Sequence, residues 1–220
     1  MDLNLIIVAG GKGKRMQSET PKQFLNISNK PILLHTIERF YNFSNDINIV
    51  VVLPAPFIEF WKSLCRKYNC TIKHKVVEGG DARFFSVKNG LAHISKNSLV
   101  AVHDGVRPLV SDSTIHNVIE TARKKGNAIP AVRINESVRK LDSNITFPVD
   151  RNNYRIIQTP QCFHTDLLLN AYEQDFKESF TDDATVVESL GEKINLVDGN
   201  FENIKITRPV DLKFAEAYLK

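Results

Sequence analysis

Short apolar runs alternate with stretches of helical periodicity along much of this chain, and that alternation leaves few folds open. Leu5–Val8, Ile47–Leu53 and Leu99–His103 each read as a strand, and Ile47–Leu53 is almost wholly apolar, as a strand buried on both faces must be. Helices are expected at Ile32–Phe40 behind Pro31, at Phe57–Tyr68 after Pro54 and Pro56, and at Arg83–Ile94, where Phe84, Val87, Leu91 and Ile94 share one face. Thr71–Val77 reads as a strand, Thr114–Lys125 as a helix ended by Gly126, and Ala128–Val132 as another strand. The order predicts an α/β fold with a mostly parallel sheet and helices on both faces. In such sheets ligands bind beyond the carboxyl ends of the strands.

The pattern changes over residues 134–157. Ser137–Leu141 and Tyr154–Ile157 are extended, polar-punctuated pieces with a turn around Asp142-Ser143-Asn144, which predicts a protruding β-hairpin arm. An arm that carries alternating apolar residues away from the core needs a partner to cover one face, so a homodimer formed through it is expected; an edge hairpin folded back on its own domain is the other reading. The helix Thr165–Phe176 follows, then Thr181-Asp182-Asp183 capping a helix Ala184–Leu190, a strand Ile194–Val197, a strand-like Asn203–Thr207 and a last helix Pro209–Leu219. The whole reads as one Rossmann-like domain over residues 1–220.

A length of 220 residues, 42% hydrophobic and 25% charged, supports one sizeable core. The net charge of +4 is modest and comes without a basic stripe, which argues against nucleic acid as a partner. No apolar run approaches the ~20 residues of a membrane span, and Met1-Asp2-Leu3-Asn4 leads straight into the first strand. Cys65, Cys70 and Cys162 lack metal-ligand spacing and read as small apolar residues of a reduced, cytoplasmic protein.

Four segments carry chemistry. The first strand feeds Ala9-Gly10-Gly11-Lys12-Gly13-Lys14-Arg15-Met16, followed by Pro21-Lys22-Gln23. Glycines let backbone N–H groups approach an anion, and Lys or Arg neutralise it, so this loop reads as a polyphosphate cradle. Its spacing fits neither G-x-G-x-x-G nor a Walker loop. His103-Asp104-Gly105-Val106-Arg107-Pro108 puts a carboxylate at a strand end, suited to a magnesium–triphosphate complex or a ribose hydroxyl, with Arg107 either organising the loop or meeting a carboxylate. In Gly79-Gly80-Asp81-Ala82-Arg83, with Ser86 beyond it, the glycines can face a flat base; Asp81 reads either as a base contact or as a helix cap. Lys205 stands between Ile204 and Ile206, on the side away from the core.

Together these segments resemble the 2-C-methyl-D-erythritol 4-phosphate cytidylyltransferase family. Gly10–Met16 with Pro21–Leu25, Gly79–Arg83 with Ser86–Leu91, His103–Pro108, Gln158-Thr159-Pro160-Gln161, Thr181–Ala184 and Asn203–Pro209 occur in the family's order across nearly the whole chain. The resemblance implies that CTP and methylerythritol phosphate give the CDP-linked alcohol and pyrophosphate, with Mg2+ or another divalent cation. It implies that Arg15 and Lys22 stabilise the pentacoordinate phosphorus and that Ala9, Gly10, Gly11 and Gly13 wrap the triphosphate. Gly80, Asp81 and Ser86 would select cytosine, Asp104 would face ribose and triphosphate near the metal, and Lys205 would hold phosphate oxygens. Ser137, Arg107 and Arg151 would contact the acceptor, Arg151 from across the dimer. The family usually has Asp-Thr where this chain has Glu136-Ser137. Ribitol 5-phosphate cytidylyltransferases share much of the pattern, and a silent nucleotide-binding regulator is the alternative from another class.

Overall fold

The computed structural model describes residues 2–11, 16 and 20–219. The fold is a mixed, mostly parallel central sheet with helices on both faces. Its centre is β1 (Leu3–Val8), parallel to β4 (Asn48–Leu53) on one side and to β6 (Leu99–Asp104) on the other. β5 (Lys75–Glu78) extends the parallel part beyond β4. Alternate residues of each strand serve opposite faces, as a period of two requires. Leu5, Ile7, Val51 and Ala101 join one core, beneath α1 (Ile32–Phe43), α2 (Ile58–Lys67) and α4 (Asp112–Lys125). Ile6, Val50, Val52 and Val102 join the other, beneath α3 (Arg83–Leu91), α5 (Thr165–Ala171) and α6 (Asp183–Glu188). Truncating Leu5, Ile6 or Ile7 to Ala costs about 2–5 kcal/mol.

The far side of the sheet departs from the expected elements: Arg155–Ile157, read from the sequence as part of the arm, pairs with the main sheet instead, and the arm closes on Ile145–Val149. β11 (Gln161–His164) lies antiparallel between β6 and β7 (Asn127–Arg133), so these two strands do not pair directly. Only Cys162 and Phe163 mark it as apolar, too short a run for periodicity to reveal. β10 (Arg155–Ile157) and β12 (Leu196–Asp198) also pair with β7. A small β2–β3 hairpin (Asn26–Ile27, Lys30–Pro31) precedes α1. Residues 71–74 are not strand, because β5 joins β4 only from Lys75, opposite Val50. Asn203–Thr207 is loop rather than strand: a backbone bond from Ile206 N–H to the Val106 carbonyl at 3.0 Å pins it without forming a ladder.

β8 (Val138–Asp142) and β9 (Ile145–Val149) pair antiparallel as a separate two-stranded sheet, turning at Ser143 with φ 52°. Leu141, Ile145 and Phe147 on it are 74%, 62% and 48% exposed. α7 (Pro209–Tyr218) ends the described chain. No helix among the described residues is long and apolar enough to cross a membrane.

Candidate active site

Three loops leave the carboxyl ends of β1, β5 and β6 side by side, and backbone bonds hold them together. Ala9 N–H donates to the Val52 carbonyl at 3.0 Å, Gly79 N–H to that of Leu53 at 2.8 Å, and Gly105 N–H to that of Val8 at 2.9 Å. They bound a cleft of about 460 Å³ lined by Ala9, Gly10, Gly11, Lys22, Gln23, Gly80, Asp81, Arg83, Ser86, Asp104 and Lys205, among others. Of the residues assigned to nucleotide or phosphate from the sequence, these come together as one surface. Gly13 and Arg15 lie outside the described residues.

A short 3-10 turn, Lys22–Phe24, carries two of the lining side chains. Phe24 anchors it, its ring centroid 5.2 Å from Phe60 and 6.2 Å from Trp61. The turn is thereby fixed, with Lys22 Nζ donating to the Ile206 carbonyl at 3.2 Å and Gln23 Nε2 to that of Ala9 at 2.7 Å. Gly80 is a close-approach position: a Cβ there would lie 2.4 Å from Phe85 Cβ. Its N–H donates to Ser86 Oγ at 3.2 Å, so the hydroxyl braces the loop from the first turns of α3. Asp81 is exposed and does not cap α3; Ala82 holds that position without a side-chain bond.

Asp104 is the electrostatic centre. Its Oδ2 meets Arg107 Nε at 3.0 Å and Lys205 Nζ at 3.1 Å. Burial by itself would raise this carboxyl's pKa, but the charges of Lys205, Arg83 and Arg107 outweigh it and hold the group well below the usual carboxylate range. Arg107 is not among the residues lining the cleft; its Nη1 donates to the Asn203 carbonyl at 2.7 Å, tying the Asp104 loop to the Lys205 loop. Behind it His103 is wholly buried. Its Nε2–H donates to the Arg107 carbonyl at 3.0 Å, and its Nδ1 accepts from Thr159 Oγ1 at 3.0 Å, which itself accepts from Asp104 N–H at 3.1 Å. With both nitrogens occupied, this imidazole is a scaffold.

Burial lowers the His103 pKa from 6.5 to about 4. Between those values the unfolded chain binds a proton that the folded chain excludes, so stability rises with pH through this window and is lost as pH falls. The full window is worth roughly 3 kcal/mol, and His35 and His74, also lowered chiefly by burial, act in the same direction. Urea midpoints are therefore expected to climb steadily from pH 4 to pH 7; a flat profile would contradict the neutral assignment.

Arg83, which opens α3, was missed as a cleft residue in the sequence. It forms a forked pair with buried Asp183, Nη1–Oδ1 2.8 Å and Nη2–Oδ2 2.5 Å, and Tyr172 Oη donates to the same Oδ1 at 2.6 Å. Asp182, not Asp183, is the α6 cap, its Oδ1 accepting from Thr185 N–H at 2.9 Å. Gln23 was also missed, although it adjoins Lys22. Ser137 and Arg151 do not line the cleft; both are exposed on or beside the hairpin, where Arg151 Nη1 donates to the Asn135 carbonyl.

A glycine loop, fixed ammonium groups and an ionised carboxylate at the ends of a mostly parallel sheet define a nucleotidyltransferase. The model of the 2-C-methyl-D-erythritol 4-phosphate cytidylyltransferase family (IspD) matches residues 3–220, and the chain belongs to that family. It is 48% identical over 219 residues to the enzyme of that description from Phocaeicola vulgatus, covering 100% of both chains. It is 50% identical over 214 residues to that of Bacteroides fragilis, covering 97% of this chain and 98% of the other. Among solved structures, the 4-diphosphocytidyl-2C-methyl-D-erythritol synthase of Anaerococcus prevotii superposes with a TM-score of 0.83 at 30% identity, covering 99% of this chain and 96% of that one. The Thermus thermophilus cytidylyltransferase superposes at 0.81 and 31% identity, covering 99% and 98%. The chain thus converts CTP and 2-C-methyl-D-erythritol 4-phosphate to the CDP-linked alcohol and pyrophosphate, in non-mevalonate isoprenoid precursor biosynthesis. The family is generally divalent-metal dependent. The ribitol phosphate and silent-regulator readings fall to this match.

Proposed function

We propose that the transfer runs in the cleft between Gly10-Gly11, Lys22 and Lys205, with Arg15 as a third cation. The acceptor phosphate oxygen attacks the α-phosphorus of CTP, the bond from that phosphorus to the bridging oxygen breaks, and pyrophosphate leaves. The attacking phosphate is already ionised at neutral pH, so no general base is needed, in keeping with a His103 whose nitrogens are both engaged. The barrier is the approach of one anion to another. Cations held in place before the reaction offset that repulsion and spread the charge of the transition state. The observation that carries this reading is that Lys22 and Lys205 line the same cleft as the glycine loop and Asp104. Gly80, Asp81 and Ser86, which line the same cleft, would meet the cytosine. Pyrophosphate release with CTP against ATP, GTP and UTP tests that assignment.

Asp104 suits a hard cation: it is an ionised carboxylate beside a phosphate cradle, and Mg2+ is commonly held by one or two carboxylates plus substrate phosphates. Such an ion would neutralise phosphate charge when bound. Asp104 would be its protein ligand, with the triphosphate supplying the rest.

The exposed apolar hairpin supports a homodimer that brings Arg151 and Ser137 to the partner's cleft, and a cytoplasmic location fits the substrates. Arg107 would serve the acceptor indirectly, by holding Asp104 and the Lys205 loop. Arg151→Ala is expected to raise KM for methylerythritol phosphate more than for CTP; equal weakening of both would oppose an acceptor role. Coexpression of Arg151→Ala with Lys22→Ala subunits distinguishes the geometry. Mixed dimers regain activity if Arg151 acts across the interface, because one cleft then has both residues. They stay inactive if it acts within its own chain.

A further inference from the structure

Away from the cleft, α2 ends in a tight Schellman turn. Asn69 sits in the left-handed region at φ 50°, its N–H reaching the Arg66 carbonyl at 3.2 Å, while Cys70 N–H reaches that of Cys65 at 2.9 Å. This pattern of bonds brings the side chains at its two ends into contact, a place that apolar pairs commonly fill. Here two free, half-buried cysteines, Cys65 and Cys70, stand at those two ends. A disulfide needs Cα atoms about 4.4–6.8 Å apart with converging side chains, and the backbone bond from Cys70 N–H to the Cys65 carbonyl holds the two residues close together across the turn.

The pair is also chemically unequal. The proximity of the two thiols lowers the Cys70 pKa and raises that of Cys65, which makes Cys70 the more readily ionised of the two. Cys162 is different: burial pushes its thiol up to about 12. The surroundings offer a reporter. His74 Nε2 lies 4.0 Å from Cys65 Sγ and accepts from Trp61 Nε1–H at 3.0 Å, while its own Nδ1–H donates to the Ile72 carbonyl at 2.8 Å. Trp61 is the chain's single tryptophan and lies against Phe24, next to Lys22.

We propose that Cys65 and Cys70 are a peroxide-sensitive dithiol that closes reversibly to a disulfide at the end of α2. The Cys70 thiolate attacks one oxygen of hydrogen peroxide, the O–O bond breaks, and hydroxide leaves, giving the sulfenic acid. Cys65 sulfur then attacks Cys70 sulfur, its proton leaving with the displaced hydroxide as water. The thiols lose two electrons in all and the peroxide is reduced to water; a thiol reductant reverses the change.

The test treats the full chain with hydrogen peroxide, alkylates the remaining thiols and digests with trypsin, which cuts after Arg66 and Lys67. Expected are the two cysteine fragments joined and lighter by two hydrogens, with Trp61 fluorescence quenched and both changes undone by dithiothreitol. Cys70→Ser is expected to slow oxidation at Cys65 at least about tenfold, following the lost thiolate. Neither Cys65→Ser nor Cys70→Ser should alter basal turnover. Separate fragments carrying sulfenic or sulfinic acid, prior oxidation of Cys162, or no difference between wild type and Cys70→Ser would each overturn the proposal.

Discussion

Lys22→Ala is expected to lose at least about a hundredfold in turnover, corresponding to the ~3 kcal/mol typical of a lost group that stabilises developing charge. The ammonium reaches the cleft from a turn that Phe24 anchors, and its Nζ is fixed on the Ile206 carbonyl. A donor that need not reorganise during the reaction acts on the transition state more than on bound CTP. The loss should therefore fall on kcat, with KM for CTP changed less. Because the backbone of the turn is held by its own bonds, Phe24 N–H to the Pro21 carbonyl at 2.9 Å and Leu25 N–H to that of Lys22 at 3.1 Å, the fold should survive the substitution. Circular dichroism and urea unfolding check this alongside the kinetics. Turnover within about tenfold of wild type would refute the role. Lys205→Ala removes a second cation but also one of the partners of Asp104, so its effect mixes charge loss with a rearranged carboxylate.

Asp183→Ala is expected to be the more damaging change for stability. The carboxylate is wholly buried and takes the Arg83 fork and the Tyr172 hydroxyl together. Removing one member of a buried ion pair costs about 3–5 kcal/mol, because the other charge stays behind without its counterion, and whole domains are stable by only about 5–15 kcal/mol. Burial opposes the charge on Arg83, and Asp183 more than compensates. Burial also raises the Tyr172 hydroxyl, which stays a neutral donor. Tyr172→Phe should therefore cost less, about 1.5–3 kcal/mol for one hydrogen bond to a charged group. A loss of stability below about 1 kcal/mol would show that Arg83 finds another partner and would refute the triad as a stabilising unit.

How much of this was legible in sequence follows the range of the interactions. The buried strands could be read directly, because apolar runs such as Ile49–Leu53 report burial on both faces. The loops at strand ends could be read as well, since Gly10, Gly80 and Asp104 are a few residues from those runs. What escaped depends on contacts distant in the chain. β11 exists because its four residues are held between β6 and β7, not because of their own composition. Arg83 and Asp183 are separated by 100 positions, and nothing local to Thr181-Asp182-Asp183 tells which aspartate turns inward. For Arg107 the sequence offers loop organisation or a carboxylate partner, and its pair with Asp104 fits both; its bond to the Asn203 carbonyl, 96 positions on, has no local signal. The alternation of Ile204 and Ile206 puts Lys205 on the open side, and the structure agrees although the segment is loop, because Ile206 is still the residue buried.

The central claim is that immobile positive groups let two anions meet at phosphorus in this cleft. A crystal structure with CTP and a divalent cation tests it most directly. The account expects the triphosphate over Gly10-Gly11, with Lys22 Nζ and Lys205 Nζ within hydrogen-bonding distance of its oxygens and the cytosine against Gly80-Asp81. Nucleotide bound there with both ammonium groups turned away from its phosphates, in an enzyme that still turns over in solution, would contradict it.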